Sequence, residues 1–139
     1  MASDQHQLLV RIAAQKMAAD GFAITHWEGR QGLAAGGGRV LLPLPRRLGR
    51  HRPDLVGSHT SDGSLGIGEA KTASDLQCER TARQLNEFSV SFNDRGIFGR
   101  LYLAIPQSAN YLLQELLAKY RLNKRPNIIV LSVPDVLLF

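Results

Sequence analysis

Two short apolar segments joined by a turn motif constrain the fold of this chain more than any other feature. The segments span residues 53–57 and 65–71, and Asp62-Gly63 between them is a strong signal for a β-hairpin. We therefore expect the two segments to pair as antiparallel strands. Nearer the C-terminus, a predicted helix lies between two predicted strands, which indicates a parallel crossover. Together the patterns predict an α/β fold with a mixed central sheet flanked by helices on both faces.

Hydrophobic periodicity and turn residues predict the other elements. Three segments have apolar residues at helical spacing, and the predicted helices span residues 4–20, 74–92 and 108–121. Asp4 with Gln7 and Ser74 with Gln77 fit the capping box that opens a helix. The other strands are predicted at residues 22–27, 40–44, 101–105 and 128–133. The glycine-rich residues 29–38 lack the lysine and hydroxyl residue of a phosphate-binding loop, so they predict a flexible turn.

Each strand of the predicted hairpin carries one carboxylate. Asp54 lies in the first and Glu69 in the second, with Lys71 two residues after Glu69. Because side chains alternate along a strand, Glu69 and Lys71 point to the same face of the sheet. Two carboxylates on paired strands repel each other unless a proton or a metal lies between them, and oxygen ligands favour Mg²⁺ or Mn²⁺. A divalent ion beside a lysine is suited to phosphodiester hydrolysis.

Size and charge restrict the domain organisation and the class of partner. A chain of 139 residues is expected to form a single domain over residues 1–139. Lysine and arginine total 17 against 12 aspartates and glutamates, and the resulting net charge of +5 indicates a polyanionic partner. No apolar run approaches the length of a membrane span, and the N-terminus lacks the layout of a signal peptide. The sequence therefore predicts a cytoplasmic protein without a membrane partner.

A cluster of arginines lies immediately before Asp54. Its members are Arg46, Arg47, Arg50 and Arg52. A solvated loop between strands would account for such a run of charge. The position beside the predicted acidic site favours the other interpretation, a loop that contacts the phosphates of nucleic acid.

The order and spacing of these motifs resemble the PD-(D/E)xK nuclease superfamily. Pro53-Asp54 matches the first half of that signature, and Glu69-Ala70-Lys71 matches the second half on the next predicted strand. The resemblance covers nearly the whole chain, and it is strongest to small archaeal-type Holliday junction resolvases and restriction-endonuclease-like modules. It implies a restriction-endonuclease-like αβββαβ core, Mg²⁺ or Mn²⁺ as the cofactor, and duplex or branched DNA as the substrate.

The same resemblance implies roles for individual residues. The implied metal ligands are Asp54, Glu69 and the backbone carbonyl of Ala70. Lys71 would activate the attacking water or stabilise the charge that grows on the phosphate. Gln84 is similar to the catalytic glutamine of a Gln-x-x-x-Tyr motif, although this chain has Phe88 in place of the tyrosine. The alternative for Gln84 is a solvated residue on a helix.

The first helix departs from the family pattern. Many members place a glutamate there to complete the metal site, whereas this helix offers His6 and Gln7 as residues that can reach the site by position. A lone surface histidine is more often structural or solvated, and this is the alternative for His6. His51 and His59 flank the two site strands as candidate phosphate contacts or proton carriers, and a structural role is the favoured interpretation for both.

We therefore expect a metal-dependent DNA endonuclease that is structure-specific or recruited by a partner protein. Because the resemblance covers nearly all of the 139 residues, we expect no separate target-recognition domain and no sequence specificity of its own. One alternative is a catalytically inactive nucleic-acid-binding module that retains the fold, which the missing first-helix glutamate favours. Another is a protein-interaction module that docks through the apolar residues 136–139. The same tail would serve a homodimer, which is the expected way to bring two metal sites to two strands.

Overall fold

The computed structural model of the chain describes residues 4–28 and 42–138. Its helices are α1 (Asp4–Ala19), α2 (Glu79–Ser89) and α3 (Asn110–Lys119). Its strands are β1 (Phe22–Trp27), β2 (Leu55–His59), β3 (Leu65–Ala70), β4 (Arg100–Pro106) and β5 (Ile128–Val133). The chain order is α1, β1, β2, β3, α2, β4, α3 and β5, with short 3-10 turns between some elements. No helix within these residues is long and apolar enough to cross a bilayer.

The strands form one sheet in the order β1-β2-β3-β4-β5. Neighbouring strands from β1 to β3 pair antiparallel, whereas those from β3 to β5 pair in parallel. The hairpin between β2 and β3 turns at Asp62-Gly63, where Gly63 has a φ of +71° that favours glycine. The structure confirms the expected α/β class with a mixed sheet.

Helices cover both faces of this sheet and enclose two apolar cores. Successive residues of β4 show the division, because Tyr102 belongs to the core under α1 and Leu103 to the core under α2 and α3. Met17 of α1 lies close to β3, where a Cβ added to Gly66 would be 2.9 Å from its side chain. Gly66 therefore permits the close approach of α1 to β3.

The helix predicted to begin at Ser74 begins later. Residues Asp75–Gln77 form a short 3-10 turn, and α2 starts at Glu79. Ser74 makes no capping hydrogen bond through its side chain. Instead, the Asp75 carboxylate accepts hydrogen bonds from the backbone N–H and the hydroxyl of Thr72, at 2.9 and 3.0 Å. These contacts stabilise a turn directly after β3, so the helix cannot start there.

Two strand predictions also need correction. The first site strand was expected at residues 53–57, but β2 spans Leu55–His59. Pro53 has no N–H to donate to a neighbouring strand, and the Asp54 N–H donates to the Glu69 side chain instead of to backbone. Residues 42–44 do not form the expected edge strand. The carbonyl of Pro43 accepts a hydrogen bond of 3.0 Å from the N–H of Trp27. Residues 40 and 41 of that prediction lie outside the described residues, as does the glycine-rich segment 29–38.

Candidate active site

The acidic residues lie at one end of the sheet, where β2 begins and β3 ends. The antiparallel register pairs Leu55 with Gly68, which brings the preceding Asp54 beside Glu69. The Asp54 N–H donates a hydrogen bond of 2.8 Å to Glu69 Oε1. In turn, the Ala70 N–H donates a hydrogen bond of 2.8 Å to Asp54 Oδ2. The structure therefore brings the two predicted carboxylates together.

Lys71 lies beside Glu69, on the face that the alternation of side chains predicts. Its Nζ is 3.1 Å from Glu69 Oε2 and donates a hydrogen bond of 2.6 Å to Gln84 Oε1. Gln84 is buried on α2, so it is not a solvated helix residue. The ammonium is thus held between a carboxylate of β3 and an amide of α2. We call Asp54, Glu69, Lys71 and Gln84 the acidic cluster.

Electrostatics at the acidic cluster favour the binding of positive charge. Glu69 is only 3% exposed, and this burial together with the charge of Asp54 raises the pKa of Glu69 to about 8, although Lys71 opposes the shift. A strongly shifted carboxyl beside a second carboxylate is a common feature of functional sites. A proton or a cation between the two carboxylates would stabilise the pair.

His6 reaches the acidic cluster from the start of α1, as its position in the sequence suggested. Its Nε2 is 3.4 Å from Asp54 Oδ1, and the contact with Asp54 raises the pKa of His6. The imidazole therefore connects α1 to the acidic cluster through Asp54.

Glu28 is a neighbour of the cluster that the sequence did not reveal. It directly follows β1, and its N–H donates a hydrogen bond of 2.9 Å to the Asp54 carbonyl. Loss of hydration and the charge of Asp54 raise the pKa of Glu28. The available signal was a carboxylate at the end of a predicted strand, but its placement beside Asp54 depends on the pairing of β1 with β2.

The donors at this site suit a hard divalent cation. Among residues 4–28 and 42–138, no three histidine, cysteine, aspartate or glutamate side chains form a metal-binding group. Mg²⁺ does not require three such side chains, because it is usually held by one or two carboxylates and keeps several waters. The residues that would hold the ion are Asp54, Glu69 and, through its carbonyl, Ala70. Burial and then the charge of Asp54 raise the pKa of Glu69, and a bound cation would oppose both effects.

A basic cavity of about 370 Å³ adjoins the acidic cluster. Gln84 lines this cavity and also contacts Lys71, so the two features are directly connected. The full lining consists of Glu28, Arg47, Arg50, His51, Arg52, Arg80 and Gln84. Arg46 is exposed on the same loop and does not line the cavity. Arg80 comes from α2 and was not among the arginines expected to contact nucleic acid.

Glu87 fastens the arginine-rich loop, residues 46–52, to α2. Its carboxylate accepts a hydrogen bond of 3.3 Å from the Arg50 N–H and contacts His51 Nδ1, and these contacts lower the pKa of Glu87. Gly49 permits the approach, because it has a φ of +69° and a Cβ there would lie 2.8 Å from Glu87 Oε1. The ring of His51 is therefore engaged with α2, as the structural interpretation of this histidine expected.

His59 also has structural contacts and lies far from the acidic cluster. It ends β2, whereas Asp54 directly precedes that strand. Its Nε2 is 2.9 Å from the Asp20 carbonyl, and its ring packs edge-on against Phe22. These contacts connect the end of α1 to the hairpin.

Comparison of the chain with protein-family models, with curated proteins and with solved structures finds no match. The function is therefore inferred from the residues of the acidic cluster, the adjoining cavity and their geometry.

Proposed function

We propose that this protein is a metal-dependent nuclease that hydrolyses phosphodiester bonds in DNA. The observation that carries the proposal is the convergence of Asp54, Glu69 and Lys71 beside a cavity lined by arginines. Carboxylates suit a hard cation, a lysine suits charge that develops on phosphate, and guanidinium groups suit phosphate oxygens. The net charge of +5 also supports a polyanionic substrate.

In the proposed reaction, water attacks phosphorus and the bond to the leaving oxygen breaks, which yields a phosphate monoester and a hydroxyl end. A Mg²⁺ or Mn²⁺ ion held by Asp54, Glu69 and the Ala70 carbonyl would supply Lewis acidity and lower the pKa of a bound water. The Lys71 ammonium orients the water or stabilises the charge on the phosphate oxygens. Gln84 holds that ammonium in place through its hydrogen bond.

We further propose that the fold is a restriction-endonuclease-like core of the PD-(D/E)xK type. The order α1, β1, β2, β3, α2, β4 supports this assignment, because it follows the αβββαβ pattern. The place of Asp54 at the start of β2, and of Glu69 and Lys71 at the end of β3, supports it as well.

A nucleic-acid-binding module that does not cleave is the second candidate. Both oxygens of Glu69 are already engaged, one by the Asp54 N–H and the other by Lys71. The first helix also contributes an imidazole, His6, in place of a third carboxylate. Such a module would bind DNA through the arginines and leave its backbone intact.

Incubation of supercoiled plasmid with the purified protein separates the two candidates. A nuclease converts the plasmid to nicked or linear forms in Mg²⁺ or Mn²⁺, and chelator abolishes the conversion. A binding module retards the plasmid in a gel without changing its topology once the protein is removed. Conversion that persists in chelator would contradict metal dependence.

We propose a homodimer as the active form, because one chain supplies this acidic cluster once and a duplex or junction has two strands. The C-terminal tail supports the idea, since Val136 is 78% exposed and Leu137 is 59% exposed. Leu138 packs against the core beneath α1, and Phe139 lies outside the described residues. Light scattering tests the proposal. A monomer mass that DNA does not change would contradict the dimer and favour nicking of single strands or recruitment by another protein.

A further inference from the structure

The basic surface continues along α2, away from the acidic cluster. A second cavity of about 520 Å³ lies next to the first one. Its lining residues are Arg50, His51, Arg80, Arg83, Asn86 and Glu87. Because Arg50, His51 and Arg80 line both cavities, the two form one continuous surface between the arginine-rich loop and α2.

The surface keeps a positive charge, because five arginines line the two cavities against two carboxylates, Glu28 and Glu87. Glu87 is occupied by the Arg50 N–H and by His51. These contacts also hold the loop against the helix, so Arg50 on the loop faces Arg80 on α2 before any ligand binds. A ligand that fits between the loop and the helix therefore meets a loop whose backbone is already held against α2, which lowers the entropic cost of binding.

The spacing along α2 fits a ligand that extends over several phosphates. Arg80, Arg83, Gln84 and Glu87 follow an i, i+3, i+4, i+7 pattern and thus lie on one side of the helix. At a rise of about 1.5 Å per residue, Arg80 and Arg83 are about 4.5 Å apart along the helix axis, and Arg50 adds a guanidinium group from the loop. The rise between successive phosphates along one DNA strand is about 3.4 Å, so these arginines can meet more than one phosphate.

We propose that the arginine-rich loop and α2 together bind consecutive phosphates of one nucleic-acid strand, along a path that leads away from the acidic cluster. We call this surface the arginine track. Guanidinium groups pair with phosphate oxygens in bidentate geometry. None of the described lining residues is a phenylalanine, tyrosine or tryptophan, and the ring of His51 is engaged by Glu87 and Phe88, so we expect the track to bind the backbone and not to stack on bases. The inference rests on the proposed function in one respect, that the strand held here is the strand to be cut.

Binding without metal tests the arginine track separately from cleavage. The probe is a fluorescent single-stranded oligonucleotide of roughly twelve nucleotides, measured by anisotropy in chelator at several salt concentrations. The track variant is Arg80→Gln/Arg83→Gln, and both residues are exposed. The matched control is Arg95→Gln/Lys124→Gln, which removes the same charge from exposed loops before β4 and β5, at the other end of the sheet.

We expect the track variant to bind at least about tenfold more weakly at low salt. The slope of log affinity against log salt should fall by about 0.7 for each phosphate that is no longer neutralised, or about 1.4 for two phosphates. The control should keep the slope of the wild type. The charge-preserving variant Arg80→Lys/Arg83→Lys should also keep it, a result that a purely structural role of the arginines would not produce.

Three results would overturn the arginine track: a wild type that does not bind the probe, a track variant that binds like the wild type, or a control that weakens as much as the track variant. Circular dichroism checks that the variants fold. If the track variant does not fold, protection of Arg80 and Arg83 from phenylglyoxal by the oligonucleotide decides the matter in the wild type. If the wild type binds the oligonucleotide through the track but never cuts plasmid, the proposed nuclease activity is contradicted and the arginine track still stands.

Discussion

The backbone N–H of Asp54 donates a hydrogen bond of 2.8 Å to the carboxylate of Glu69, across the antiparallel pair of β2 and β3. The Asp54 carboxylate is held in the same way, by the Ala70 N–H at 2.8 Å. Each carboxylate is therefore oriented by the backbone of the opposite strand. Because strand pairing fixes these contacts, a slip of the register by one residue would separate the carboxylates.

Gln84 is predicted to act by positioning Lys71. Replacement by alanine removes the acceptor of the 2.6 Å hydrogen bond from Nζ. We expect Gln84→Ala to lower the rate of plasmid cleavage by about tenfold to a hundredfold, the usual range for residues that orient a reactive group. The conservative Gln84→Glu variant retains an acceptor and should lose less activity. Equal losses in both variants would show that the amide itself, and not the hydrogen bond to Lys71, is required.

Stability in chelator should depend on pH through Glu69. The pKa of this carboxyl is raised from 4.5 to about 8 in the folded protein, so its contribution to stability is fully present below pH 4.5. That contribution is lost as the pH rises through about 8. A glutamine cannot ionise, so the stability of Glu69→Gln relative to the wild type should increase over this range. Thermal unfolding of both proteins between pH 4.5 and about pH 8 measures the difference in their melting temperatures. A difference that does not change with pH would contradict the raised pKa of Glu69.

Much of the architecture could be predicted from the sequence because local signals and the global fold agree. The Asp62-Gly63 turn identified the hairpin, and the spacing of the apolar residues located the three helices of the described chain. The errors have local causes. The helix start at Ser74 was displaced because Asp75, rather than Ser74, accepts the hydrogen bonds of the turn.

His6 offers a way to alter the affinity of the acidic cluster for metal. Its imidazole lies 3.4 Å from Asp54 Oδ1, at the place where a carboxylate would add a third oxygen donor. We expect His6→Glu to lower the Mn²⁺ concentration needed for half-maximal cleavage, because carboxylates bind hard cations better than imidazole does. His6→Gln serves as the uncharged control. A higher Mn²⁺ requirement in His6→Glu than in His6→Gln would contradict this role of the position.

Asp20 and Tyr102 make a stabilising contact remote from the acidic cluster. The hydroxyl of the buried Tyr102 donates a hydrogen bond of 2.7 Å to Asp20 Oδ2, which lowers the pKa of Asp20. Asp20→Asn should cost about 1 kcal/mol at neutral pH, since the hydrogen bond loses its charged acceptor. Because the pKa of Asp20 is lowered, this stabilisation is present above pH 3.8 and disappears on further acidification. Denaturant unfolding at pH 7 and pH 3 measures how much Asp20→Asn changes the free energy of unfolding at each pH. Asp94→Asn, in an exposed loop, is the control.

Parts of the candidate site could not be predicted because they depend on tertiary contacts. The sequence predicted that three residues lie together, because a hairpin and the alternation of side chains along a strand define their positions: Asp54, Glu69 and Lys71. The place of Glu28 in the site could not be predicted, because it depends on the register of β1 against β2. The place of Arg80 could not be predicted either, because it depends on how α2 packs against the arginine-rich loop. Glu87 contacts Arg50 and His51, which precede it by 37 and 36 positions, and no local sequence pattern predicts contacts over such separations.

The most direct test of the central claim is the rate at which wild type and Asp54→Asn cleave supercoiled plasmid in Mn²⁺. An asparagine can still accept the hydrogen bond from the Ala70 N–H, so circular dichroism should show an intact fold. Asp62→Asn, at the opposite end of the same hairpin, is the matched control. We predict that Asp54→Asn cuts at least about a hundredfold more slowly, and that wild type and Asp62→Asn cut at similar rates that chelator abolishes. Cleavage by Asp54→Asn at the rate of the wild type, or cleavage that persists in chelator, would contradict the account.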